Sequence, residues 1–160
     1  MRQHNGTTRR DLLIGAGSVA GGIGLAGFVT VRPSQATPAT MQEAIRKVIG
    51  DAQVNRGRVK IDLPPLIDNG NVVPLSVSVE SPMTPENHVR AIHVFNEKNP
   101  QPNIVSVQLG PRAGRATIST RIRLADSQTV IAIAQMNDGS YWQTSQDVVV
   151  TIAACAEEIQ

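Results

Sequence analysis

Two stretches set the period of this chain. In Val73-Pro74-Leu75-Ser76-Val77-Ser78-Val79, and again in Ile118-Ser119-Thr120-Arg121-Ile122-Arg123-Leu124, apolar and polar residues alternate. A period of two is the mark of a half-buried strand, because successive side chains point to opposite faces of a sheet. Further strands are predicted over Val59–Leu63, Val89–Glu97, Ile104–Leu109, Thr129–Met136 and Asp147–Ala153. Turn signals separate them: Asp68-Asn69-Gly70-Asn71, Ser81-Pro82, Asn99-Pro100-Gln101-Pro102-Asn103, Gly110-Pro111 and Asn137-Asp138-Gly139. About seven short strands at this spacing predict an all-β fold, an immunoglobulin-like antiparallel sandwich of two sheets. Ahead of them, Thr40-Met41-Gln42-Glu43 has the capping-box pattern, and Ala44, Ile45, Val48 and Ile49 recur at helical spacing as far as Gly50. One short N-terminal helix is therefore expected.

The first 36 residues read differently. Thr8-Arg9-Arg10-Asp11-Leu12-Leu13 sets paired arginines before two leucines, and a Gly/Ala/Leu/Val stretch runs from Ile14 to Val31. Ser34-Gln35-Ala36 follows as an A-x-A-like cleavage site. The pattern is that of a bacterial twin-arginine export signal over residues 1–36, followed by one folded domain over residues 37–160. An uncut anchor needs about 20 predominantly apolar residues, so length alone does not exclude one. The glycine and serine interruptions and the cleavage site favour export with cleavage, hence a periplasmic protein with no membrane attachment after processing.

Removing the signal changes the charge. The fifteen Lys and Arg lose Arg2, Arg9, Arg10 and Arg32, leaving eleven; the thirteen acidic residues lose Asp11, leaving twelve. The mature domain is close to neutral, and its few aromatic residues, Phe95, Tyr141 and Trp142, form no evident base-stacking platform. No nucleic-acid partner is expected.

Chemistry concentrates on one residue. Cys155 is the only cysteine and follows the strand-like run Asp147-Val148-Val149-Val150-Thr151-Ile152 near the end of the sequence. In an oxidising compartment it has no internal disulfide partner, so it stays free, is modified, or pairs with another molecule. His88 and His93 are five apart, which would point them to opposite faces of one strand, and His4 leaves with the signal. The simplest placement is one histidine on the surface and the other at a sheet edge. No metal site follows, and nothing sets a histidine beside Cys155 as a general base. Arg121 and Arg123 share a strand face, with Arg112 and Arg115 in the preceding loop. They form either a solvated sheet face or a surface for an acidic partner or a carried anion. Asp138-Gly139 before Tyr141-Trp142 reads as a hairpin turn with aromatic packing.

The segments Gly110-Pro111-Arg112-Ala113-Gly114-Arg115, Thr120-Arg121-Ile122-Arg123-Leu124 and Asn137-Asp138-Gly139, with a last strand running into a cysteine, resemble SoxY. SoxY is the sulfur-carrier subunit of the periplasmic thiosulfate-oxidising system. The resemblance covers essentially all of Met41 to Cys155. It implies an immunoglobulin-like sandwich paired with a small SoxZ-like subunit, no catalytic activity of its own and no cofactor. Its sulfur cargo would be held covalently on a C-terminal cysteine, here Cys155, while periplasmic sulfur-oxidising enzymes act on it. The family's arm reads Gly-Gly-Cys-Gly-Gly, whereas this tail reads Ala153-Ala154-Cys155-Ala156-Glu157-Glu158. Each Gly-to-Ala change alters local chain entropy by roughly 0.5–1 kcal/mol, so this arm is expected to be stiffer. Glu157 and Glu158 disfavour a thiolate and repel anionic adducts. The chain thus resembles a divergent branch. The alternative is an assembly subunit of a SoxYZ-like complex that carries nothing, in which the arginine surface matters more than the thiol. A small thiol hydrolase or metal-binding protein is the remaining reading, with neither an oriented base nor a ligand cluster to support it.

Overall fold

The computed structural model describes residues 36–154, so residues 1–35 of the expected export signal, and Cys155, lie outside the described residues. A helix, α1 (Pro38–Ile49), precedes nine strands: β1 (Val54–Arg56), β2 (Val59–Asp62), β3 (Leu66–Ile67), β4 (Val73–Val79), β5 (Val89–Asn96), β6 (Asn103–Gln108), β7 (Thr117–Ile122), β8 (Gln128–Met136) and β9 (Tyr141–Val150). The larger sheet has the order β1-β9-β8-β5-β6, with β3 also pairing β9; the smaller is β2-β4-β7.

The main core lies between the sheets. In β4 the predicted alternation is realised, with Val73, Leu75, Val77 and Val79 buried and Pro74 exposed. Facing them from the larger sheet are Val89, Ile92, Val94, Val130, Ala132, Ala134 and Val148. The larger sheet also buries part of its outer face, because α1 packs there: Met41 and Ile45 meet Phe95, Ile133 and Tyr141. Strands β5 and β8 are covered on both sides, so their sequences read as near-continuous apolar runs rather than alternation.

The helix starts three residues earlier than the pattern at Thr40 implies. Thr37 is the N-cap, its hydroxyl accepting the Thr40 N–H at 3.2 Å while the Thr40 hydroxyl accepts the Thr37 N–H at 2.6 Å. Pro38 takes the first helical turn, where its missing N–H costs nothing. At the other end Gly50 closes the helix at φ +62. Two strand expectations change as well. The sheets are not wholly antiparallel, since β1 and β3 both pair parallel to β9. And β9 begins at Tyr141 rather than Asp147, straight after the Asn137-Asp138-Gly139 hairpin turn, with Gly139 at φ +85. Trp142 in this strand lies under the Arg58 guanidinium, 4.6 Å from ring centroid to Cζ.

The histidines are also placed differently. His88 precedes β5, its backbone N–H donating to Asn137 Oδ1 at 3.0 Å. His93 sits inside the larger sheet rather than at its edge, because β5 is flanked by β8 and β6. Its ring stacks on Phe95 with centroids 6.3 Å apart, and Nδ1 lies 2.8 Å from Ser106 Oγ. Partial burial disfavours the imidazolium and holds the His93 pKa below the ordinary histidine value. The unfolded chain therefore binds the proton first as pH falls below about 6.5, and stability present above that pH is lost down to the lower folded pKa. Denaturant midpoints measured from pH 7.5 to 4.5 should fall in this window, and His93→Gln should flatten the fall. A wild-type midpoint constant across the window would contradict this placement of His93.

Candidate functional site

The described chain ends one residue before the candidate cysteine, and that end is tied to the sandwich. Strand β9 runs out beside β3, with the Val149 N–H donating to Pro65 O at 2.9 Å and the Thr151 N–H to Ile67 O at 2.9 Å. The Ile152 N–H donates to Asp68 O at 3.2 Å, and the Gly70 N–H returns a bond to Ile152 O at 2.8 Å. From the other sheet, the residue after β7's flank joins the same network: Leu124 N–H donates to Gly70 O at 2.8 Å and Leu124 O accepts the Ala154 N–H at 3.1 Å. The Thr151 hydroxyl adds a bond to Asp68 O at 3.1 Å, and the Ser127 hydroxyl accepts the Val150 N–H at 2.9 Å. Leu124 is fully buried and Ala154 nearly so.

Gly70 makes this possible by close approach. A Cβ at that position would collide with the Leu124 carbonyl oxygen, sit 2.8 Å from the Ala154 nitrogen and 3.1 Å from Val150 Cγ1. Two of those neighbours are backbone atoms of the network itself, so no side chain can yield to make room. The Asp68-Asn69-Gly70-Asn71 pattern announces a turn; that this glycine also admits the chain end is a long-range fact with no local signal.

All four arginines singled out from the sequence are exposed, and they fall at two places. Arg112 lies in a 3-10 turn (Pro111–Ala113) and Arg115 just beyond it, both ahead of β7. Arg121 lies near the far end of β7, where the register sets it opposite Pro74, and Arg123 follows just past that end. Arg121 lines a shallow groove with Pro74, Ser76 and Ser119, and Arg123 immediately precedes Leu124 of the network. Strand β7 is six residues long, so roughly 20 Å of chain separates the two pairs. Among the described residues, the ion pairs are Glu43–Lys47 and Lys98–Asp126, and neither involves these arginines. Likewise among the described residues, no group of three or more His, Cys, Asp or Glu converges on one point, and no helix is long and apolar enough to cross a membrane.

The family described as sulfur oxidation protein SoxY matches residues 45–155. The chain belongs to the SoxY family. Among solved structures, the sulfur carrier protein SoxY from Chlorobium limicola f thiosulfatophilum superposes with a TM-score of 0.60 at 24% identity, covering 71% of this chain and 98% of that one. Superoxide reductase (neelaredoxin) from Ignicoccus hospitalis follows with a TM-score of 0.52 at 21% identity, covering 72% and 94%. At these identities the two structures show a shared sandwich fold. No curated protein matches the chain in sequence.

Replacing Gly70 by alanine should lower stability by about 1–3 kcal/mol, the cost of overpacking a site that cannot relax. Unfolding midpoints in denaturant measure it. A Gly70→Ala protein as stable as the wild type would show that the close approach of Gly70, Leu124 and Ala154 does not hold in solution.

Proposed function

We propose that this SoxY-family protein is a covalent sulfur carrier in the oxidation of thiosulfate-type compounds, with Cys155 as the carrier residue. The observation that carries this reading is the network at Gly70, Leu124 and Ala154. It ends one peptide bond before Cys155, so the chain is held at one end of the sandwich up to the residue before the thiol. The family match extends as far as residue 155.

The chemistry asks little of the fold beyond presentation. Joining Sγ to the terminal sulfur of thiosulfate forms one S–S bond and releases the thiol proton and two electrons, which an electron-accepting partner enzyme takes up. In this reading the protein presents the cargo, and the partner enzymes supply the chemistry. Its partners are a SoxZ-like subunit and periplasmic sulfur-oxidising enzymes, reached after export by the twin-arginine route. Arg121 and Arg123 stand at the same end of the sandwich as the network and supply positive charge there. Positive charge at this end favours an anionic cargo. Arg112 and Arg115, at the other end of β7, are the residues available for an acidic partner surface.

Intact mass of the protein from its native periplasm, taken without and then with reductant, tests this. The wild type should show a reductant-labile addition of sulfur or a sulfur oxyanion, and Cys155→Ser should fold, keep its partner subunit and show none. Adducts persisting on Cys155→Ser would remove the carrier role from this residue. An unmodified wild type would leave the SoxYZ-like assembly subunit as the reading.

A further inference from the structure

Apolar surface is exposed at the same end of the molecule. Among the described residues, the large hydrophobic side chains left in solvent are Leu66 at 60%, Val72 at 61%, Val149 at 54% and Ile152 at 62%. They belong to the segments that make the network around Ala154. Leu66 and Val149 are register partners of β3 and β9, so their side chains lie on one face. Ile152 exchanges backbone bonds with Asp68 and Gly70, and Val72 follows Gly70 by two residues. A groove of about 210 Å³ runs beside them, lined by Pro64, Leu66, Ile67, Asp68, Val72 and Pro74. Single exposed aliphatic residues need no explanation, whereas a cluster on one end of a sandwich marks an interaction surface.

We propose that Leu66, Val72, Val149 and Ile152 form the docking face for the enzymes that act on Cys155, and that these enzymes meet it with an apolar rim around their reacting centre. The proposal rests on the carrier reading. Its occupant follows from where the chain leaves the body. The Ala154 N–H is fixed on Leu124 O at 3.1 Å, and the Cα of the next residue is only about 3.8 Å from that of Ala154. While the network is closed, covalent reach alone keeps Sγ within about 7 Å of the Ala154 Cα. An enzyme whose reacting centre touches Sγ must therefore also cover the surface around Ala154, which is this apolar face. A charged or strongly hydrated rim would strip its own water against Leu66 and Val149 without gaining partners, a cost that an apolar rim avoids. Asp68 and Asn69, the polar side chains of the groove, give the rim its polar contact points. Deep insertion of a long arm is not required of a partner built this way.

Leu66→Asp and Val149→Asp place a charge on the face without touching the core, and Leu66→Met keeps it apolar. Each variant is purified from the native periplasm alongside the wild type, and the loaded fraction of Cys155 is read by intact mass. Circular dichroism melts, light scattering for assembly, and alkylation of the reduced thiol by iodoacetamide are measured on the same samples. The expected result is at least a tenfold loss of loaded protein in both Asp variants and near wild-type loading of Leu66→Met, with melting, assembly and alkylation rate unchanged. Wild-type loading of the Asp variants overturns the docking face and leaves the carrier reading standing. A wild type that carries nothing overturns both. Loss of a partner subunit or of self-association in the Asp variants assigns the face to assembly instead and also overturns the proposal.

Discussion

The Leu124 backbone holds the described chain in place at Ala154, and most of what is distinctive in the structure depends on that contact. Its N–H reaches Gly70 O and its carbonyl accepts the Ala154 N–H, so three segments distant in sequence meet at a residue with no exposure. Buried backbone groups left without partners cost about 1–3 kcal/mol each, so the three segments hold one another. The same bonds couple the sheets, because Gly70 and Ala154 extend from the β3 and β9 side while Leu124 continues from β7. A side chain at Gly70 would break the arrangement from its centre.

In the proposed carrier this contact replaces what a flexible arm would otherwise provide. A glycine-rich arm can carry a thiol away from its body, at the expense of ordering many conformers whenever a partner binds it. The alanines on either side of Cys155, with a root fixed at Ala154, reduce that cost and shorten the reach. Partner enzymes must then come to the sandwich, which gives a use to apolar side chains that a solitary domain would gain by burying. Arg121 and Arg123 set positive charge at the same end.

Much of this fold is legible in the sequence, and the exceptions share a cause. The alternation in Val73–Val79 survives in β4 because one face of that strand meets the core and the other meets solvent. Strands β1 and β3 are three and two residues long and pair parallel to β9, so their existence depends on a partner some 80 residues away and leaves no local pattern. The first half of β9 hides behind Gln143, Thr144 and Gln146; the Gln146 side chain donates to Leu63 O, a bond that no periodicity reveals. His93 looks like an edge residue until β6 and β8 are seen to pair on either side of β5, and α1 buries Phe95 beside it. Of the candidate site, Cys155 and the arginines are legible by residue type. Gly70, Leu124 and the apolar face around them depend on where segments distant in sequence meet in space.

Amide hydrogen exchange at Gly70, Leu124 and Ala154 tests the closed network most directly. Each of these N–H groups donates to a backbone carbonyl at 2.8 to 3.1 Å, and protection comparable to that of the β8–β9 ladder is the expected result. Exchange of all three at the rate of an unstructured chain, with the ladder still protected, would contradict it. The chain beyond the end of β9 at Val150 would then be unheld, and Ala154 would not be fixed to the sandwich.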